Sequence, residues 1–240
     1  MKKFALQFAF AIASLFLCSN VTLAASDSII VKRTADFELT ADIESKQWKS
    51  AEWHVMAQRR DTTNRKETRF KTLYSDKGIY FLFDNEDAFL TASRTGDFDS
   101  LWLDDVNEVF LWPDTANTIY FEYEITPLDF ELPILVPNLG GKFLGWRPWL
   151  YTNERKTRHM TTVIGGNKQN GSRVKGWISE FFIPYKLLTP LLNVPPVPES
   201  IWRANMYRID HDNNRAAAWS WQKTETNFHQ FEKFGRLIFQ

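Results

Sequence analysis

The segment Ile79-Tyr80-Phe81-Leu82-Phe83 is a continuous apolar run that directly follows the turn signal Asp76-Lys77-Gly78. A short apolar run with aromatic and β-branched members, bounded by a turn, is typical of a β-strand covered on both faces. The sequence therefore predicts a central strand here, with a packed layer on each side of its sheet.

Further strand patterns recur along the chain. In residues 119–125, Ile and aromatic side chains alternate with Tyr120, Glu122 and Glu124, which is the period-two pattern of a half-buried strand. In residues 201–209, Trp202, Ala204 and Met206 lie on one face and Arg203, Asn205 and Tyr207 on the other. Residues 177–183 form another apolar-rich segment, while helical patterns are brief, at residues 44–51 and 185–192. Many short strands separated by turns predict an all-β fold, a two-sheet antiparallel β-sandwich of jelly-roll-like type with one or two short helices.

The composition limits the function classes. The chain has 240 residues, with 29 Lys and Arg against 29 Asp and Glu. This balance argues against nucleic-acid binding, which normally requires a basic excess to meet phosphate groups. The chain also has 10 Trp, an unusually high number. Because a buried indole N–H needs a partner, a surplus of Trp often lies on binding surfaces, although Trp also fills cores.

The first residues have the features of a bacterial secretory signal peptide. Met1-Lys2-Lys3 is a positively charged start, residues 4–17 are mainly apolar, and small residues follow at Ala24 and Ala25. This pattern predicts cleavage near Ala24 or Ala25, which removes residues 1–24. We therefore expect a periplasmic or secreted protein.

After cleavage, residues 25–34 are expected to form an N-terminal segment and residues 35–240 one β-sandwich domain. No later apolar run approaches the ~20 residues that span a bilayer, so we expect no membrane anchor after cleavage. The single cysteine, Cys18, leaves with the signal peptide. We expect the mature domain to be held together by its core, without disulfides.

Acidic residues cluster where catalytic carboxylates would be sought. Glu122 and Glu124 share one face of a predicted strand, and Asp104, Asp105 and Glu108 are close in sequence. Glycoside hydrolysis needs two carboxyl groups that flank the scissile bond, whereas neighbouring carboxylates on one strand are more typical of a solvated face. The chain has no nucleophile-elbow motif. The sequence favours a non-catalytic protein, linked to catalysis only as an accessory of glycoside hydrolysis.

One segment contains residue types that bind calcium. Asp210-His211-Asp212-Asn213 follows a predicted strand, and Asp210 and Asp212 are the candidate calcium ligands. A solvated turn is the commoner use of such a segment. The four His residues lack the spacing of a zinc site, and apart from calcium the residue patterns call for no cofactor.

The Trp residues divide into two groups. Trp102 lies in the polar stretch 99–105, Trp146 lies in a loop with Gly and Pro, and Trp221 lies on a short strand. An aromatic ring can pack on the apolar C–H face of a sugar, so a binding role and a core role are both open for Trp102 and Trp221. The residues expected in the core are Trp48, Trp53, Trp177 and Trp202.

The order of several motifs resembles the family 9 carbohydrate-binding module and its relatives. The most distinctive segment is Trp102-Leu103-Asp104-Asp105-Val106-Asn107-Glu108-Val109-Phe110-Leu111. The other matching segments are residues 37–42 with Trp48, 79–83, 120–127, 176–180, 202–205 and 234–237. The pattern at 120–127 is similar to the extracytoplasmic, DOMON-like branch, and the resemblance extends over residues 35–239.

The resemblance implies that a saccharide binds between two aromatic faces, with charged and amide groups alongside. By position, Trp102 is one platform, Glu108 accepts hydroxyl groups, and Phe228 lies near the second platform. Glu122 stands where the resemblance leads us to expect a sugar-binding Arg, a departure that bears on specificity. The candidate carbohydrate-binding residues are Trp102, Glu108, Asn205, Tyr207, Trp221 and Phe228.

These observations predict an exported, non-catalytic protein that captures saccharide on aromatic platforms and supports polysaccharide breakdown. One alternative is a haem-binding DOMON-like domain of an exported redox system. Its candidate axial ligands are Met56, Met160, Met206 and His229. Another alternative is a purely structural or interaction β-sandwich. The absorbance spectrum of the purified protein separates the first two, because only haem gives a Soret band.

Overall fold

The computed structural model describes residues 26–62, 65–139, 142–149, 151–212 and 215–240. The predicted signal peptide, residues 1–24, therefore lies outside the described residues. Within the described segments, no helix is both long and apolar enough to cross a membrane.

The described residues form fifteen strands and several short helical turns. In chain order the strands are β1 (Ser28–Arg33), β2 (His54–Val55), β3 (Ala57–Arg60), β4 (Thr68–Tyr74), β5 (Gly78–Glu86), β6 (Val106–Trp112), β7 (Ile119–Ile125), β8 (Glu131–Leu139), β9 (Lys142–Phe143), β10 (Arg147–Pro148), β11 (Arg158–Ile164), β12 (Gly176–Pro184), β13 (Ile201–Asp210), β14 (Ala217–Ser220) and β15 (Gly235–Phe239). One α-helical turn, α1, spans Tyr185–Leu188, and 3-10 turns span Lys46–Ser50, Leu101–Leu103, Asn153–Arg155 and Phe231–Lys233.

The strands form two sheets that pack face to face. Sheet I has the order β10-β8-β7-β6-β13-β15-β1, with β14 and β3 continuing from β13 and β9 pairing with β8. Sheet II has the order β1-β4-β5-β12-β11, with β2 on β4. Neighbouring strands are antiparallel except at β1, which runs parallel to β15 and to β4. This arrangement confirms the predicted all-β sandwich with short helices.

Strand β5 is covered on both faces, as its apolar run predicts. Ile79, Phe81 and Phe83 belong to the core between the sheets. Tyr80 and Leu82 belong to a second cluster that contains Trp48, on the outer side of sheet II. All five side chains of the apolar run, residues 79–83, are fully buried. Alternate residues therefore serve two packed layers, which explains why the sequence shows no polar alternation here.

Strand β7 differs from the prediction of a half-buried strand with a solvated acidic face. Glu122 and Glu124 are 3% and 1% exposed, so that prediction is wrong. The outer side of sheet I carries an aromatic cluster in which Phe231 and Phe234, from the C-terminal segment, pack against Tyr120. Chain segments distant in sequence thus cover the strand face that the alternation marks as polar.

Strand β1 corrects the expected domain boundary. A domain that begins at residue 35 excludes β1, but Ile29 and Val31 lie in the core between the sheets. Residues 28–31 pair with β15, and residues 32–33 pair with β4. The strand passes from one sheet to the other and joins them, and its two inward apolar residues are too few to mark it in the sequence.

The two isoleucines of β1 provide a test of this role. Ile29 is 2% exposed and Ile30 is 43% exposed. Ile29→Ala is expected to lower the free energy of unfolding by about 2–5 kcal/mol, since it removes buried methyl groups and leaves a cavity. Ile30→Ala is the matched control and is expected to change it by less than about 0.5 kcal/mol. Urea denaturation measures both, and equal effects would contradict the assignment of β1 to the core.

Candidate functional site

A cleft of ≈ 430 Å³ opens on the outer side of sheet I. Strands β6 and β7 form its floor, because the side chains of Glu108 and Glu124 lie at directly opposed positions of the two strands. Its walls come from the turn that carries Trp102, from residues 143–146 between β9 and β10, and from residues 226–229. The sheet thus supplies a rigid base, and three loops bring side chains to the rim.

Aromatic rings form the walls of the cleft. Trp102 and Trp146 meet edge to face with ring centroids 5.5 Å apart. Phe143 stacks on His229 at 4.2 Å, and Trp146 and Phe143 are 38% and 42% exposed. Exposed aromatic groups beside polar ones are typical of a small-molecule site, because the rings supply contact area and the polar groups fix orientation.

Phe228 is held in place by contacts with Tyr207 of strand β13. Its ring stacks on Tyr207 with centroids 4.1 Å apart and an angle of 10° between the planes. The Tyr207 hydroxyl donates to the Phe228 carbonyl at 2.8 Å and accepts from Asn205 Nδ2 at 2.6 Å. Asn205 also bonds both the backbone N–H and the carbonyl of Gln222. These bonds fix the segment that carries Phe228 relative to strand β13.

Three carboxyl groups lie on the floor. Glu108, Glu122 and Glu124 are each 3% exposed or less. Desolvation raises the pKa of Glu108 to about 8. Desolvation, reinforced by the neighbouring carboxyl groups, raises the pKa of Glu122 and of Glu124 well above its ordinary value. The carboxyl groups of the floor therefore favour their protonated, uncharged form at neutral pH.

His229 is the neutral neighbour of these acids. Burial lowers the pKa of His229 to about 4, so the imidazole is uncharged at neutral pH. A hydrogen bond of 2.7 Å joins its Nδ1 to the Tyr120 hydroxyl, and the same nitrogen lies 3.6 Å from Glu122 Oε2. Because the ring is neutral, His229 gives Glu122 no charge compensation.

The structure brings together three of the six predicted site residues. Trp102, Glu108 and Phe228 all line the cleft. Asn205 and Tyr207 are fully buried beneath it, with their polar atoms bonded to protein, so they support Phe228 and do not reach the cleft surface.

Trp221 is the predicted site residue that lies elsewhere. It is 3% exposed and belongs to the core between the sheets, where its indole N–H donates to the Ser26 carbonyl at 3.2 Å. Gly235 lies directly against its ring, where a Cβ would come within 2.4 Å. The pairing of β13 with β14 and the turn after Ser220 direct this side chain inward, which the short strand pattern does not reveal.

Several lining residues carry no strong signal in the sequence. Phe143, Glu122, Glu124 and His229 line the cleft although they are not among the predicted carbohydrate-binding residues. Trp146 was singled out with its Gly- and Pro-containing loop, and the structure places it on the wall. The position of His229 next to Phe228 is the one local hint for the histidine.

The candidate calcium ligands are already paired with a lysine. Lys66 Nζ lies 2.6 Å from Asp210 Oδ2, 2.6 Å from Asp212 Oδ2 and 3.0 Å from Asp87 Oδ1. The buried Arg208 guanidinium lies 2.9 Å from Asp210 Oδ2. Desolvation works to lower the pKa of Lys66, but Asp87 and Asp210 outweigh it and raise the pKa. The ammonium group of Lys66 thus occupies the centre of this cluster, where it leaves no room for a divalent cation beside it.

Two of the candidate haem ligands, Met206 and His229, lie on opposite sides of sheet I. Met206 is fully buried between the sheets, whereas His229 lies on the outer side of sheet I, in the cleft. Met56 is also buried in the core, and Met160 is 42% exposed on β11. Met206 and His229 cannot therefore bind one iron from its two sides.

Sequence comparison assigns no family, since no family model and no curated protein matches this chain. Structural comparison finds several solved structures with a similar fold. A candidate carbohydrate-binding protein from Bacteroides uniformis has a TM-score of 0.69 at 17% identity, over 89% of this chain and 99% of that protein. A family 9 carbohydrate-binding module from Caldicellulosiruptor kristjanssonii in complex with cellotriose has a TM-score of 0.63 at 15% identity, over 89% and 93%. Its complex with glucose gives 0.62 at 15%, over 89% and 95%. This chain therefore has the fold of a family 9 carbohydrate-binding module, as the motif order predicts.

The Lys66 cluster generates a prediction about stability. Lys66→Met leaves three buried carboxylates without their ammonium and is expected to cost about 3–5 kcal/mol of unfolding free energy. Lys186→Met is the control, because its partner Glu154 is 75% exposed, and it is expected to cost about 0–1 kcal/mol. Chemical denaturation measures both, and a Lys66→Met effect no larger than the control would show that the cluster is not a buried ion-pair network.

Calcium provides a separate test. Millimolar calcium is expected to leave the melting temperature of the unmodified protein unchanged, since a ligand stabilises only a protein that it binds. A calcium-dependent rise in melting temperature would show that the ion displaces Lys66.

Proposed function

We propose that this chain is an exported, non-catalytic carbohydrate-binding protein that holds a saccharide in the cleft on sheet I. The observation that carries the proposal is the arrangement of Trp102, Trp146, Phe143 and Phe228 around a floor of carboxyl groups. A sugar presents an apolar C–H face and a rim of hydroxyl groups, and this cleft offers a counterpart to both.

The aromatic walls account for affinity. Trp102 and Trp146 present two surfaces at an angle of 71°, so a sugar ring can pack on one face and touch the edge of the other. Aromatic contacts of this kind contribute about 1 kcal/mol each beyond the area buried. The structures of the Caldicellulosiruptor module with cellotriose and with glucose support a saccharide as the ligand class.

The floor favours binding over hydrolysis. Glu108 and Glu124 occupy opposed positions on adjacent strands, and Glu122 is two residues from Glu124 on the same face of β7. All three carboxyl groups therefore approach a ligand from one side. Hydrolysis of a glycosidic bond needs an acid and a second carboxylate that flank the bond, so this arrangement suits capture of the sugar.

The cellular role follows from the signal sequence predicted for residues 1–24. An exported protein that captures saccharide without cleaving it would act beside secreted or periplasmic hydrolases, as an accessory of polysaccharide breakdown.

Substitution of the wall tryptophans tests the proposal. Trp102→Ala and Trp146→Ala are each expected to weaken binding roughly five-fold, the equivalent of about 1 kcal/mol. Glycan-array screening of the mature protein identifies the ligand, and calorimetry then measures the affinities.

Trp53→Ala is the control, because Trp53 lies on sheet II near Arg69 and Lys71 and away from the cleft. We expect unchanged affinity for this variant. The melting temperature of Trp146→Ala should stay close to that of the unmodified protein, since this ring is 38% exposed. If no glycan is retained by the unmodified protein, or if the wall variants bind as well as the control, the proposed function is wrong.

A further inference from the structure

Buried acids elsewhere in the sandwich each have a cation, an N–H group or a hydroxyl group as a partner. Glu180 accepts three N–H groups at 2.6–2.7 Å, and Asp104 pairs with Arg94 at 2.7 Å. One oxygen each of Asp87, Asp212 and Glu131 also lacks a hydrogen-bond partner, but Lys66 or the Tyr123 hydroxyl binds the other oxygen of each group. On the cleft floor, Glu122 Oε2 and Glu124 Oε2 are buried without a hydrogen-bond partner, and among the described residues neither carboxyl group is paired with Lys or Arg. Unpaired buried oxygens of this kind are costly, and at a cleft they indicate that a ligand supplies the missing donor.

The surroundings of the floor supply little positive charge. Arg60 from β3 and His229 are the basic residues among the described residues that line the cleft. Arg60 is exposed at the rim, and His229 is neutral because burial lowers its pKa. The remaining titratable groups that face the floor are the hydroxyl groups of Tyr120 on β7 and Tyr207 on β13. A ligand therefore meets three acids with almost no protein cation to balance them.

We propose that the cleft selects saccharides that carry a free amino group, and that Glu108, Glu122 and Glu124 receive the ammonium of the sugar. This inference rests on the proposed function, since it specifies which saccharides the same cleft prefers. An ammonium group offers three N–H donors and a positive charge, whereas a hydroxyl group offers one donor and no charge.

The low-polarity surroundings strengthen this preference. Attraction between an ammonium and a carboxylate is much larger in a desolvated site than in water. The rings of Trp102 and Trp146 add a cation–π contribution if the ammonium lies over either face. The same rings pack against the sugar ring, so the cleft recognises an amine only as part of a saccharide.

The preference depends on pH in a defined direction. In the free protein, desolvation raises the pKa of Glu108, Glu122 and Glu124, and the neighbouring carboxyl groups add to this at Glu122 and Glu124, so all three favour the protonated form. Binding of an ammonium favours the ionised carboxylates, so protons leave as the ligand enters. Affinity for the amino sugar is therefore expected to rise with pH toward neutrality, and to fall again where the amine of the sugar loses its own proton. Affinity for a neutral sugar should lack the falling limb.

The decisive experiment compares three matched disaccharides by calorimetry at neutral pH: one of β-1,4-linked glucosamine, its N-acetylated form and the corresponding glucose form. The glucosamine form is expected to bind at least about tenfold more tightly than the glucose form, as for a hydrogen bond to a charged group. Measurements in buffers with different ionisation enthalpies should show proton release with the glucosamine form alone.

Two variants connect the preference to the floor. Glu122→Gln keeps the size of the side chain and removes one acid, and it is expected to reduce the ratio of the affinity for the amino sugar to the affinity for the neutral sugar. Glu154→Gln is the control, because Glu154 lies 75% exposed next to Lys186, away from the cleft. The melting temperature of Glu122→Gln should stay close to that of the unmodified protein, because the raised pKa already keeps Glu122 uncharged and Gln has the same size.

The outcomes separate the two proposals. If the glucose form binds as tightly as the glucosamine form, the preference is wrong while the proposed function stands. If no saccharide binds, the proposed function itself fails. If propylamine competes as well as the amino sugar at equal concentration, the cleft is a general amine site, which also overturns the preference.

Discussion

The structure depends on the burial of both faces of the central strands. In β5, β7 and β13 one face builds the core between the sheets, and the other face is covered by segments outside the sheets. Apolar side chains satisfy this constraint without cost, but polar ones on the outer faces need partners. On sheet II, Glu180 has them, since it accepts the N–H groups of Thr40, Ala41 and the Trp48 indole. On sheet I, Glu122 Oε2 and Glu124 Oε2 of the cleft floor lack them, and that difference separates the structural face from the candidate binding face.

The excess of tryptophan follows the same division. Trp48, Trp177, Trp202, Trp219 and Trp221 are all 3% exposed or less and fill packed layers. Trp202 and Trp219 donate their indole N–H groups to the backbone carbonyl groups of Asn193 and Lys66. Only a minority of the tryptophans, Trp102 and Trp146 among them, lies at a surface where a ligand can be reached. The number of tryptophans is thus mainly a property of a two-sheet core.

Much of the fold could be predicted from local patterns. The apolar run in β5 indicated a strand with two covered faces, and the motif order indicated the family 9 type of sandwich that the structural comparisons show. The same motif order indicated Trp102, Glu108 and Phe228 as binding residues, and all three line the cleft. The role of β1 could not be predicted, because a strand that joins two sheets by parallel pairing leaves no local signature beyond a short apolar segment. Only two residues of that segment, Ile29 and Val31, face the core.

The sequence by itself determined the strand periods, the all-β class and the presence of acids on alternate positions of β7. Only the tertiary structure decided which acids of the chain are solvated, which are paired with a cation and which have an oxygen left without a partner. The physical reason is that burial and pairing depend on groups far apart in the chain: Phe231 and Phe234 cover the outer face of β7, and Lys66 neutralises Asp210 and Asp212. A local pattern records where a side chain points, whereas its charge state and its availability to a ligand depend on what the fold places opposite it.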